Sequence, residues 1–326
     1  MPTGAEPRPL LDRRLVLVTG KGGTGKSTLA AALASAAVGR GLRVLVAELG
    51  RDAVLPRLLT PQPPPGDGYP EREIRPGLFA IRIDPFEALA EYLGLQIGMR
   101  GLARRLLANR GFRQLLEAAP GWRELIELGK VWHLEQMREA GRPRFDLIVV
   151  DAPATGHGLS FLDVPRVVIS AVRAGPLRHH TEQVEALLHD ATRTLVLPVS
   201  LAEELPARET CALVARVREL GLPVDRVVVN GLRARPVPEA HGDLAALLSR
   251  LPPEAAPGLP APAVLAACVR AQGERHAQGS RYRTEIAERT GLPIVPLPYL
   301  PDGIRGPQDV ATLAEHVLAP PRAEAA

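Results

Sequence analysis

The chain has 326 residues, of which 46% are hydrophobic and 23% charged, proportions that exclude disorder over most of its length and leave enough apolar material for a large core. Forty basic and 36 acidic residues leave a formal charge of +4; the arginines are interspersed with glutamates, and no basic run interleaves with the few aromatics, so nucleic acid is not an expected partner. Cys211 and Cys268 form no CxxC pair, the opening MPTGAEPRPLLDRR lacks the apolar core of a signal peptide, and no apolar run approaches the roughly 18 residues of a membrane span, so a reducing, cytoplasmic setting is expected.

In chain order, residues 1–12 read as a frayed terminus. RLVLVTG (14–20) follows as a strand, and its lack of polar alternation marks it as buried on both faces. GKGGTGKST leads into the helical LAAALASAAVGRG, and LRVLVAE (42–48) is the next strand. The stretch 60–77 is too rich in Pro and Gly for a regular element and reads as a surface connection. After the strand LFAIRID (78–84), residues 85–142 form a helical insertion far longer than a crossover needs. The strands FDLIVVDAP (145–153), RTLVLPVS (193–200) and VDRVVVN (224–230) follow, then a helical block over 239–290, the strand LPIVPLP (292–298) and a frayed end at 319–326. This alternation predicts an α/β fold. A doubly wound, mostly parallel sheet spans one domain at 13–318, with the insertion as a helical subdomain.

Gly20, Gly25, Lys26 and Ser27 satisfy G-x-x-x-x-G-K-[ST], and the motif sits between a strand and a helix, the context its chemistry needs. Gly20, Gly22, Gly23, Thr24 and Gly25 let consecutive backbone N–H groups turn toward phosphate oxygens, with Lys26, Ser27 and Thr28 opening a helix whose positive end favours anions. Lys26 is placed to reach the β- and γ-phosphates of ATP. Ser27 is placed to hold Mg²⁺, with Asp151, at the end of FDLIVVD, as the carboxylate partner, directly or through water. The charge of Lys21, one residue into the loop, has no use in a simple phosphate loop.

KGGTGKST resembles the deviant Walker A loop of the class containing the partitioning ATPases, the nitrogenase iron protein and the arsenite-pump ATPases. That resemblance implies that Lys21 reaches across a dimer to the partner's nucleotide. DAPATGHGLSFLDVP (151–165) narrows the choice, because Asp151, Thr155, Gly156, His157, Leu159, Leu162 and Pro165 match the switch II pattern of the arsenite-pump and tail-anchored-protein-targeting ATPases. The chain is similar to the bacterial branch of that family. The resemblance further implies Asn230, in VVVNGL, against the nucleotide base and Pro298 and Leu300, in LPYLPDGIRG, as the adenine loop; Glu209-Thr210 also resembles a family element.

Two departures matter. The family's switch I Asp orients the attacking water, but its column here holds Gly50, so either Glu48 or Asp52 takes that task, or hydrolysis is weak. With no cysteine triad, arsenite pumping is demoted, and Cys211 and Cys268 read as ordinary buried residues. A single phosphate loop favours a homodimer, or a heterodimer with a paralogous ATPase. The resemblance implies a client protein, membrane proteins included, held by the insertion, where Leu89, Tyr92, Leu93, Leu95, Ile97, Met99, Leu102, Leu106 and Leu107 form either a client-facing stripe or the subdomain's own core. A nucleotide-controlled scaffold and an ATPase energising anion transport are the alternative functions.

Overall fold

The computed structural model describes residues 8–49, 54–62, 71–97, 105, 107–153, 155–236, 243–252 and 260–319. Its strands are β1 (Leu15–Gly20), β2 (Val44–Glu48), β3 (Arg72–Arg75), β4 (Leu78–Arg82), the two-residue pair β5 (Arg138–Glu139) and β6 (Arg142–Pro143), β7 (Leu147–Asp151), β8 (Thr194–Leu201), β9 (Val227–Leu232) and β10 (Ile294–Pro298). Eight of them form one sheet in the order β10-β9-β8-β1-β7-β2-β4-β3. Every pairing in it is parallel except that of the edge strand β3 with β4.

The apolar runs become central strands because both sheet faces are covered. Along β1 all six residues are buried. Val16 and Val18 join a core with α1 (Lys26–Val38) and α11 (Pro307–Val317). Leu15 and Leu17 point the other way, into a core shared with α5 (Trp122–Gln136), α6 (Thr155–Ala171), α7 (Pro176–His189) and α8 (Glu204–Glu219). Each fully buried Leu or Val contributes about 1.5–3 kcal/mol. Helix α1 is alanine-rich, which favours the helix intrinsically. Its Ala30, Ala31, Ala32, Ala34 and Ala37 are completely buried, so the small side chains let the helix lie close to the strand whose loop starts it.

Within 85–142, α3 (Pro85–Ile97) is capped by the Asp84 carboxylate, which accepts from the N–H groups of Phe86 and Glu87 at 2.9 Å. Asn109 caps α4 (Arg110–Ala118) in the same way. Helix α5 turns Leu128, Val131 and Leu134 to the sheet, while Leu89 and Leu107 pack a small separate core with Phe86, Tyr92, Leu93, Phe112 and Trp122. The side chains of Leu95 and Ile97, and Met99, Leu102 and Leu106, lie outside the described residues. The carboxylate of Glu135, wholly buried, receives Arg14 at 2.6 Å and also pairs with Arg193, tying α5 to the starts of β1 and β8. Helices α9 (Leu244–Ser249) and α10 (Pro262–Thr290) make up the later helical block.

Three expectations change. Residues 72–75, read as irregular, form the edge strand β3: Ile74 packs on the core while charged neighbours guard the open edge, and Gly77, at φ +76°, makes the turn into β4. The first described residues are docked rather than frayed, with Leu10 buried and the Arg8 carbonyl accepting from Arg226. Cys211 is buried, but Cys268 is exposed because it falls on the outer side of α10. Among the described residues no helix is long and apolar enough to cross a membrane.

Candidate nucleotide site

Strand β1 lies between β7 and β8, where the winding of the sheet reverses, and the crevice beyond the carboxyl ends of such strands is where this architecture accepts ligands. The glycine loop occupies that position. A Cβ on Gly20 would fall 2.4 Å from the Val199 carbonyl of β8, and one on Gly25, which sits at φ +94°, 2.2 Å from Asn230 Nδ2; only glycine fits at either place. The loop is braced by the Thr24 hydroxyl, donating to the Lys21 carbonyl at 2.9 Å, and by Asn230, donating to the Thr24 carbonyl at 3.0 Å. Lys26 folds back over the loop and donates to the Lys21 carbonyl at 3.1 Å. Since α1 begins at Lys26, its first N–H groups face the same space.

The Ser27 hydroxyl donates to Asp151 Oδ2 at 2.5 Å, while Oδ1 is buried without a protein partner. Two hard oxygen donors with one carboxylate oxygen unsatisfied suit Mg²⁺, which takes few protein ligands beside phosphate and water. The electrostatics agree. Burial pushes the Lys26 ammonium down from its ordinary value, with Asp151 only partly restoring it. Burial pushes the Asp151 carboxyl up, against the Ser27 hydrogen bond and Lys26. Each charge is under-compensated in the bare cradle, a deficit that a polyphosphate and a divalent cation would fill together.

Lys21 does not point into the cradle. Its ammonium pairs with the Glu209 carboxylate on α8, whose second oxygen is buried and unpartnered. Glu48, the last residue of β2, is in register with Asp151. It is 5% exposed, and its Oε1 accepts from the N–H groups of Val54 and Leu55 at 2.7 and 2.8 Å, capping the short helix α2 (Leu55–Leu59). Burial pushes its carboxyl up to about 7, Asp151 adding to the effect and the two amides and Arg82 opposing it. Gly50 and Asp52 lie outside the described residues, as does the side chain of His157.

On the nucleoside side, Pro298 closes β10 opposite Leu232, whereas Leu300 packs into the core beside α1 and α11. A cavity of about 390 Å³ lies next to them, lined by Arg233, Gln272, Arg275, Tyr299 and Pro301, with the Arg233 guanidinium 3.7 Å above the Tyr299 ring. Arg233 and Tyr299 lie inside or beside stretches the sequence singles out. Gln272 and Arg275 come from the middle of α10 and carry no local signal.

A mostly parallel sheet whose switch-point strand runs into a glycine loop, lysine and hydroxyl at the head of a helix defines a P-loop NTPase fold. Comparison with known proteins narrows the class. A family model described as anion-transporting ATPase matches residues 13–174. The chain is 36% identical over 232 residues to the ATPase BagA of Mycobacterium tuberculosis, covering 69% of this chain and 66% of that protein. It is 27% identical over 266 residues to an arsenical pump-driving ATPase of Acidiphilium multivorum (74% and 43% covered), and 31% identical over 161 residues to an uncharacterized protein of Streptomyces coelicolor (49% and 39%). The matched region thus spans just under two thirds of the mycobacterial relative and less than half of the other two. The chain belongs to the ArsA-type ATPase family.

Proposed function

We propose that the chain is a Mg²⁺-dependent ATP hydrolase in which closure of two subunits around ATP, and their reopening, binds and releases a client protein at the insertion 85–142. The client class includes membrane proteins. The observation that carries the reading is the separation of two lysines of one loop: Lys26 lies over the cradle, while Lys21 is drawn out to Glu209. A cation parked on its own carboxylate is available to a second subunit once closure offers it a phosphate.

In this reading the loop amides and Lys26 bind the β- and γ-phosphates, and Ser27 and Asp151 hold the metal. Mg²⁺, when bound, neutralises charge that builds on the transferring phosphoryl group. Lys21 leaves Glu209 and stabilises that charge in the partner's site. Glu48 or Asp52 orients the water whose oxygen attacks the γ-phosphorus, and ADP leaves in line. A carboxyl that titrates near 7 suits a general base.

Lys21→Ala tests the reading, because Lys26 and the cradle stay intact. Hydrolysis is expected to fall by about a thousandfold or more, as for an arginine finger acting in trans, and ATP-dependent dimerisation to weaken. Unchanged hydrolysis and dimerisation would exclude the trans arrangement. One observation favours a second reading, a scaffold that hydrolyses slowly and pairs with a paralogous ATPase: one oxygen of Glu48 is engaged by two amides. Single-turnover hydrolysis by the protein alone separates the two, since fast turnover is incompatible with the scaffold. An ATPase energising anion transport would share the nucleotide site, and with one buried and one exposed thiol far apart in sequence, arsenite is not the anion this chain suits.

A further inference from the structure

Away from the nucleotide, α3 and α5 of the insertion meet α7 around a cavity of about 300 Å³. Its lining is mostly apolar, with Leu125, Ile126 and Val184 alongside the rings of Tyr92 and Trp132. Concave spaces of this kind are where proteins take small molecules. An apolar cavity of about 150 Å³ holds benzene, so one twice as large has room for about two fused rings. Gly129 is part of the lining. It stands in the interior of α5, where glycine is a poor helix former, and a Cβ built on it meets nothing within 4 Å.

The polar groups of the lining are engaged with the protein or held neutral. Lys130 donates to Glu91 at 2.7 Å and carries a further interaction, so the ammonium and the carboxylate offset each other. The buried Thr181 hydroxyl donates to the Leu177 carbonyl at 2.7 Å. Burial first and Lys130 next push the His133 imidazole down from its ordinary value, and burial and then His179 do the same to His180. Burial moves the Tyr92 phenol the other way, upward, which also favours its neutral form. The His180 ring sits edge-on to Tyr92 and Trp132, with centroids 5.0 and 5.1 Å apart. A charged guest of either sign would shed water here without gaining a free counter-charge. An uncharged apolar guest is favoured by leaving water.

We propose that this cavity binds a small uncharged apolar molecule, a flat ring system of about ten non-hydrogen atoms. It lies against Trp132, Tyr92 and Gly129 and touches the insertion and α7 at once. A protein helix, about 10–12 Å across with its side chains, does not fit inside the space. The site is separate from the nucleotide cradle and does not depend on what is bound there.

Calorimetric titration of the full chain into dissolved naphthalene, 2-naphthoate or 2-naphthylmethylammonium tests the proposal. Naphthalene is expected to bind one per chain with a Kd of about 10–100 µM, the range open to a ligand of this size, and with a negative heat-capacity change. Both charged analogues should bind about tenfold or more weakly, because neither sign finds a free partner to offset its lost hydration. Gly129→Leu puts a side chain where there is room for one and improves the helix, so it should raise the melting temperature and abolish naphthalene binding. Absence of saturable naphthalene binding, equal or tighter binding of either charged analogue, or unaltered binding in a folded Gly129→Leu protein would each overturn it.

Discussion

Glu209→Gln isolates what the Lys21 ion pair does. The substitution keeps the size of the side chain and removes only its charge. With the two side chains 43% and 31% exposed, the pair is partly screened and contributes about 0.5–1 kcal/mol. That stabilisation belongs to the separated subunit alone, because a Lys21 engaged with the partner's phosphate has left Glu209. Closing a two-fold dimer breaks two such pairs, so closure carries a penalty of about 1–2 kcal/mol that the variant escapes. Dimerisation with a non-hydrolysable ATP analogue, followed by sedimentation equilibrium, should tighten about five- to thirtyfold, with a smaller gain at high salt, where screening already weakens the pair. Lys21→Ala combined with Glu209→Gln should dimerise as Lys21→Ala does alone, since Glu209 then has nothing to hold. Unchanged or weaker dimerisation of Glu209→Gln would refute the parking role, as would an effect of Glu209 that persists without Lys21.

Gly25→Ala should lower stability by about 1–3 kcal/mol through its left-handed backbone and, with a Cβ 2.2 Å from Asn230 Nδ2, abolish nucleotide binding; denaturant melts and a fluorescent ATP analogue report the two effects. Asp151→Asn should leave the nucleotide-free fold at least as stable, because it removes an under-compensated buried charge, yet erase most of the gain in ATP affinity on adding Mg²⁺, read by titration with and without the metal. Glu135→Ala should cost about 3–5 kcal/mol, measured by urea unfolding, because it strips Arg14 and Arg193 of a fully buried partner. Burial, reinforced by Glu124 and Asp84 and opposed by Arg123, pushes the Glu127 carboxyl from 4.5 up to about 8. A raised carboxyl stabilises the fold below the unfolded value and loses that contribution as pH climbs through the folded one. Glu127→Gln should therefore melt near the wild type at about pH 5 and above it at about pH 9, whereas a gain independent of pH would refute the assignment.

The cradle was legible because its information is local. Gly20, Gly25, Lys26 and Ser27 sit within one turn of chain, and the apolar strand before them and the alanine-rich helix after them state their own conformations. The main strands declared themselves for a related reason, since burial on both faces demands unbroken apolar runs such as LVLV and LIVV. Strand β3 escaped notice because a charged edge strand lacks that signature. Cys268 was misread because a helical position says nothing of which side of α10 meets solvent. Pairings across long separations were equally hidden: Lys21 with Glu209, and Glu135 with Arg14 and Arg193.

By itself, then, the sequence determined the phosphate loop and the parallel α/β class, because both depend on spacing and periodicity within a few residues of chain. Tertiary structure alone decided that Asp151 meets Ser27 with one oxygen to spare, that Lys21 pairs with Glu209 on α8, and that burial carries the Glu48 carboxyl up to about 7. The physical reason is that charge compensation, desolvation and empty volume belong to neighbours in space, and those neighbours exist only once the sheet has assembled.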